Sequence, residues 1–250
     1  MDKETASSLN GTIARGTTYA MLSGLIAALM LLGACATSNS AKQVKAHFNI
    51  GVAKLNENDI QGAFVEFKKA LELDSHDKES LNALGLVYLQ LENYDQAKQS
   101  LLKAISVDPQ YSEAHNNLGL VYVKLNQWDD AANSFNNALK NPLYATPDKA
   151  YNNLGYSLYR LGRYEAAIIA FKESIKRNAT SHVPFYGLSL ANNALAHYGD
   201  ASVYLTDAIK FDPNYAGNVK KAHDDFMKKK NKGTKEEQKD YADFLEILNY

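Results

Sequence analysis

One thiol and six imidazoles are the side chains of this sequence best suited to covalent or metal chemistry. Cys35 is the single cysteine, which excludes an intramolecular disulfide framework. It follows at once on residues 18–34 (TYAMLSGLIAALMLLGA), an uncharged apolar run preceded by Arg15. The histidines, His47, His76, His115, His182, His197 and His223, show no metal-ligand spacing. His47 and His115 share one position of an internal repeat, where an aromatic usually packs, and read as core filler. No HExxH, GxSxG, Walker-type or dinucleotide-type glycine loop occurs. The chain therefore reads as a non-enzyme that needs no cofactor, no metal and no small-molecule substrate.

The thiol has a better use. Leu32-Gly33-Ala34-Cys35 resemble the bacterial lipobox. In a lipobox the small residues fit the signal peptidase, and the thiol is alkylated with diacylglycerol before cleavage. The apolar run is short for a membrane span and ends in small residues. Residues 1–34 thus read as a lipoprotein signal peptide, and 35–43 as the lipidated Cys35 with a flexible tether, ATSNSA being small and polar. Ala36, where an aspartate would retain a lipoprotein in the inner membrane, implies an outer-membrane, periplasm-facing protein. The alternative is an uncleaved inner-membrane signal anchor, because the stretch before the run is long and Asp2 and Glu4 offset Lys3.

What must carry any function is the remainder. A net charge of -1 points away from nucleic acid, and 46% hydrophobic with 22% charged residues is the balance of a folded domain. A repeat organises it. Gly51, Gly85, Gly119 and Gly155 recur with steps of 34, 34 and 36, and Ala63, Ala97, Ala131, Ala167 and Ala201 with steps of 34, 34, 36 and 34. A second small column, Ala70, Ala104, Ala138 and Ala208, is interrupted by Ser174, and Phe67, Leu101, Phe135, Phe171 and Leu205 form a large apolar one. Each repeat is expected to be two helices joined by a short turn, with glycine and alanine where backbones approach and Phe or Leu filling the gap. No such hairpin buries its apolar face alone, so neighbours must stack into one core. The link Asn141–Pro147 carries two extra residues and should bulge, while the fifth repeat has Ser189 in place of the glycine.

These columns resemble the tetratricopeptide repeat (TPR) over 44–215, divided as 44–77, 78–111, 112–145, 148–181 and 182–215. The resemblance implies an all-α, right-handed superhelical solenoid, with residues 216–250 as C-terminal capping helices. It also implies a groove lined by the first helix of each repeat at repeat positions 9 and 12. Those are Val52 and Leu55, Leu86 and Leu89, Leu120 and Val123, Tyr156 and Tyr159, then Leu190 and Asn193. Asn82, Asn116 and Asn152, beside Asn49, Asn117 and Asn153, add amides that both donate and accept, as an extended peptide backbone requires. The carboxylate clamp of chaperone-binding members needs cations, but Phe48, Val52, Glu113 and Asn117 stand at the matching positions, so a terminal carboxylate finds none.

The basic run Lys228-Lys229-Lys230, Lys232 and Lys235 faces two readings, a solvated loop between cap helices or a contact with anionic lipid headgroups. The layout as a whole is similar to the type IV pilus pilotin lipoproteins, in which a short tether precedes consecutive TPRs. Asn141-Pro142-Leu143-Tyr144 through Pro147 and Ala150-Tyr151-Asn152-Asn153-Leu154-Gly155 resemble the link between repeats in that family. The resemblance implies a secretin subunit as partner, carried to the outer membrane and assembled there. The alternative is a periplasmic lipoprotein scaffold for cell-wall enzymes or outer-membrane protein assembly.

Overall fold

A computed structural model describes residues 40–250, which form twelve helices and no strand among them. The stretch expected as a signal peptide, Cys35 and the expected tether up to residue 39 lie outside the described residues. The chain divides into two compact parts, of which the first ends at Ser80 and the second runs from Leu81 to Tyr250.

In the first part, α1 covers 40–56 and α2 covers Ile60–Leu73. Residues 40–43, expected as tether, are therefore helical. Ala41, Lys42 and Gln43 have the propensity to extend a helix backwards once Val44 is buried. Phe67 is fully buried, and a methyl group on Gly51 would stand 2.5 Å from its ring. Asp59 caps α2 by accepting from the Gly62 N–H.

The remaining hairpins are α3 (Lys78–Gln90) with α4 (Tyr94–Val107), α5 (Ser112–Lys124) with α6 (Trp128–Ala138), α7 (Pro147–Arg160) with α8 (Tyr164–Arg177), and α9 (Val183–Ala194) with α10 (Tyr198–Phe211). Every hairpin turn is closed in one way. Asn58, Glu92, Asn126, Gly162 and Ala196 take positive φ, between 57° and 72°. The next residue's N–H reaches five residues back, as in Asn93 to the Tyr88 carbonyl at 2.9 Å and Arg163 to that of Leu158 at 2.9 Å. This six-to-one bond satisfies a carbonyl that the helix end leaves orphaned. The alanine columns are sealed at 0% exposure, which lets the helix backbones touch. Ser174 fits among them because its hydroxyl donates to the Asp148 carbonyl at 2.8 Å.

The 141–147 link does bulge at Leu143, which is 88% exposed, but Tyr144 folds back onto Ala138 and Ala150 and pins it. Pro147 then opens α7, where its missing N–H loses no helical bond. After α10 come α11 (Val219–Lys229) and α12 (Lys235–Ile247), the latter opened by a reciprocal Thr234–Glu237 capping box. Phe226, Phe244, Leu245 and Ile247 bury these two helices in one cluster with Leu188, Leu205 and Tyr159. The tail is thus more than an end cap. Helix α12 lies against α9 and reaches α7, the first helices of the last two repeats.

Candidate protein-binding groove

The first helices α5, α7 and α9 bring Leu120 and Val123, Asn152, Asn153 and Tyr156, and Tyr186, Gly187 and Leu190 to one concavity of about 260 Å³. Phe171 forms part of its wall from α8, and Asp240 and Phe244 close it from α12. The lining is apolar, relieved by two carboxamides, two phenols and one carboxylate. Such a site suits a large side chain flanked by peptide groups.

Of the residues expected to line a groove, Leu120, Val123, Asn152, Tyr156 and Leu190 meet here. Leu86 and Leu89 are half-buried in the second part but do not line this concavity. Val52 and Leu55 belong to the first part, the one exposed and the other half-buried. Tyr159 corrects the sequence reading. Only 7% exposed, it packs on the Tyr164 ring at 5.7 Å and its hydroxyl donates to Asp240 at 3.4 Å. Helix α12 covers it, so it is a core ring. Leu190, at 4% exposure, is likewise mostly covered and shows only an edge to the concavity.

The asparagines form an internal ladder instead of a free row. Asn117 donates its Nδ2–H to Asn82 Oδ1 at 2.9 Å, and Asn153 donates to Asn116 Oδ1 at 3.4 Å. Two carboxamides expected to be open to a peptide, Asn82 and Asn116, therefore have their oxygens occupied by the following repeat. The next rung would run from residue 187 to Asn152, and residue 187 is glycine. A methyl group there would stand 2.2 Å from the Phe171 ring, so packing excludes a side chain. Asn152 Oδ1 is left buried with no hydrogen-bond partner in the structure. A buried acceptor without a donor is costly, on the order of 1–3 kcal/mol.

The fifth repeat does have Ser189 at the column position, and its glycine, Gly187, stands two residues earlier and serves a different contact. Gly187 receives Phe171 from one side, as Gly155 does from the other, where a methyl group would come within 2.7 Å. Ser189, fully buried, turns its hydroxyl back to the Tyr186 carbonyl at 2.8 Å.

Sequence reasoning missed the charged pair behind the concavity. Arg160 donates to Asp240 and, at 2.6 Å, to the Tyr156 hydroxyl, with its guanidinium 4.7 Å from the Tyr156 ring. Both ions are nearly covered, at 7% and 11% side-chain exposure. Burial pushes the Asp240 carboxyl up to about 6, against the opposing charge and hydrogen bond of Arg160. No repeat column demands a charge at 160, so nothing periodic marks this pair. The two histidines of one column also part ways. His115 is buried with Nε2 2.9 Å from the Pro109 carbonyl oxygen, whereas half-buried His47 pairs with Glu66 at 2.7 Å.

Tetratricopeptide-repeat family models match residues 44–77, 66–99, 85–126 and 118–182, an unbroken run from 44 to 182. This is a tetratricopeptide-repeat chain. Among solved structures, the TPR solenoid is similar to MamA, at 25% identity and TM-score 0.59, over 67% of this chain and 96% of that one. It is also similar to PilW, described as a widely conserved type IV pilus biogenesis factor, at 21% identity and TM-score 0.63, over 78% and 97% of the two chains. A third likeness is to pilF of Pseudomonas aeruginosa, at 18% identity and TM-score 0.67, over 82% and 90%. At these identities the two pilus proteins share the fold with this chain. No curated protein sequence matches it. TPRs are scaffolds for protein–protein interaction. Among the described residues no three His, Cys, Asp or Glu side chains gather as a metal site, and no helix is long and apolar enough to cross a membrane.

Proposed function

We propose that this TPR scaffold holds an extended segment of a protein partner in the concavity of repeats three to five, and that the partner is a type IV pilus secretin subunit. The observation that carries the first half is the concavity itself, an apolar site on the first helices relieved by the carboxamide residues Asn152 and Asn153 and the phenols Tyr156 and Tyr186. Burying each large apolar group of the partner contributes about 1.5–3 kcal/mol. Association itself costs an estimated 4–15 kcal/mol. Several such groups along the first helices are therefore needed for a micromolar complex, and losing one anchor weakens it clearly. The secretin half is supported by the fold shared with two pilus proteins and by the lipoprotein-like layout, in which Cys35 tethers the chain to the outer membrane.

Replacing Tyr156 and Asn152 together with alanine should lower capture of a purified secretin subunit at least tenfold, which corresponds to about 1.4 kcal/mol. Circular dichroism should show unchanged helix content, because Arg160 keeps Asp240 when it loses the Tyr156 hydroxyl, and Asn152 Oδ1 has no internal bond to lose. A double variant that binds secretin as wild type does would remove this concavity from consideration, and a wild type that never binds it would remove the secretin. Lipidation is checked separately. A fatty-acid analogue should label the wild type and not Cys35→Ala, and equal labelling of the two would refute the anchor.

A further inference from the structure

The basic run after the repeats is larger in three dimensions than along the chain. Helix α11 and the turn behind it, residues 219–235, carry seven lysines against Asp224 and Asp225, a net of +5 in a chain of net charge -1. Everything else therefore sums to -6. The helix borders an open cleft of about 800 Å³ lined by Lys220, Lys221, Lys228 and Lys229 and by Asp224 and Asp225. One of its two carboxylates is engaged by a lysine. Asp225 pairs with Lys229 at 2.8 Å and accepts from the Tyr215 hydroxyl, and Asp224 lies 3.5 Å from His223. Lys220, Lys221, Lys228, Lys230 and Lys232 are exposed and make no ion pair among the described residues. Glu236 and Glu237 follow, but Glu237 is held in the capping box of α12.

Two further features say what this surface meets. The cations are all lysine, and no arginine occurs after Arg177. Lysine is a compact point charge without the planar fork that reads single carboxylates or phosphates, so the surface suits diffuse negative charge. Beside the lysines, Met227 and Val219 are 48% and 45% exposed. Mixed lysine and apolar side chains on one exposed helix match the headgroup boundary of a bilayer.

We propose that α11 and the following turn are a membrane-contact face that lays this end of the solenoid on an anionic bilayer. It is independent of the groove and of the identity of its occupant. Each lysine near such a surface favours adsorption by roughly fivefold, the equivalent of about 1 kcal/mol. Five unpaired lysines are ample to orient a chain that is also tethered elsewhere.

The test uses full-length protein reconstituted into vesicles of phosphatidylcholine alone or of equal phosphatidylcholine and phosphatidylglycerol. An amine-acetylating reagent is added, and modification of each lysine is followed by mass spectrometry. Lys220, Lys221, Lys228, Lys230 and Lys232 should react severalfold more slowly on the anionic vesicles, with Lys103 and Lys172 unchanged. Molar salt should erase the difference, since the Debye length there is only about 3 Å. Changing the five lysines to glutamine should abolish the dependence of vesicle flotation on phosphatidylglycerol. Equal reaction on both vesicles would overturn the proposal. So would protection that appears only when soluble polyglutamate is added, which would assign the face to an acidic protein.

Discussion

Asp240→Ala should destabilise the C-terminal repeats by about 3–5 kcal/mol, the range for removing one partner of a buried ion pair. Arg160 is the reason. Its side chain is 7% exposed and stays charged at any pH of interest, so without Asp240 it becomes a buried cation held only by the Tyr156 hydroxyl and two aromatic faces. The pair itself adds little net stability, because each ion loses its water on burial. Replacing both, Arg160→Met with Asp240→Leu, should therefore come within about 1 kcal/mol of the wild type or exceed it. Urea denaturation followed by circular dichroism measures both. The account fails if Asp240→Ala proves as mild as the surface change Lys103→Ala. It also fails if the double variant is as unstable as the single one. Because Asp240 and Phe244 also close the concavity, loss of the pair should loosen α12 and alter partner binding along with stability.

Phe171→Ala should be comparable in size, at about 3–5 kcal/mol, because a fully buried ring is exchanged for a void. Phe171 is seated between two glycines, one in each of the first helices that flank it. Methyl groups would approach it within 2.7 Å at Gly155 and 2.2 Å at Gly187. This geometry predicts coupling as well as loss. Gly187→Ala should cost about 1–3 kcal/mol in the wild type through overpacking. In the Phe171→Ala background, where the ring is gone, the same change should be nearly neutral. A double-mutant cycle by thermal or urea melts reads the difference, with a coupling above about 0.5 kcal/mol expected for groups in contact. Strict additivity would mean that the ring and the glycine do not share one space. The cycle also bears on the groove, since it is the ring that keeps residue 187 a glycine and so leaves Asn152 without its rung.

The sequence alone determined the hairpin fold, because the constraint behind it is local and repeated. A helix pair can stack on its neighbour only if small residues recur where backbones meet, and that requirement is written as columns of Gly51 to Gly155 and Ala63 to Ala201. The shared turn is partly visible in the same way. Its left-handed residue falls at one position in every repeat, where Gly162, Asn58 and Asn126 are residue types that signal it and Glu92 and Ala196 are not. Contacts that break the period were not legible. Nothing in the columns says that Asp240 meets Arg160 across 80 positions, so the enclosure of Tyr159 and the covering of Leu190 by α12 came only with the tertiary structure. The same holds for the asparagines. Their spacing looks like a row facing a ligand, but side chains one repeat apart are near enough to bond each other, and such pairing removes their capacity for a peptide. The row ends where Phe171 demands a glycine, and only the packed structure shows that the Asn152 oxygen is left without its rung.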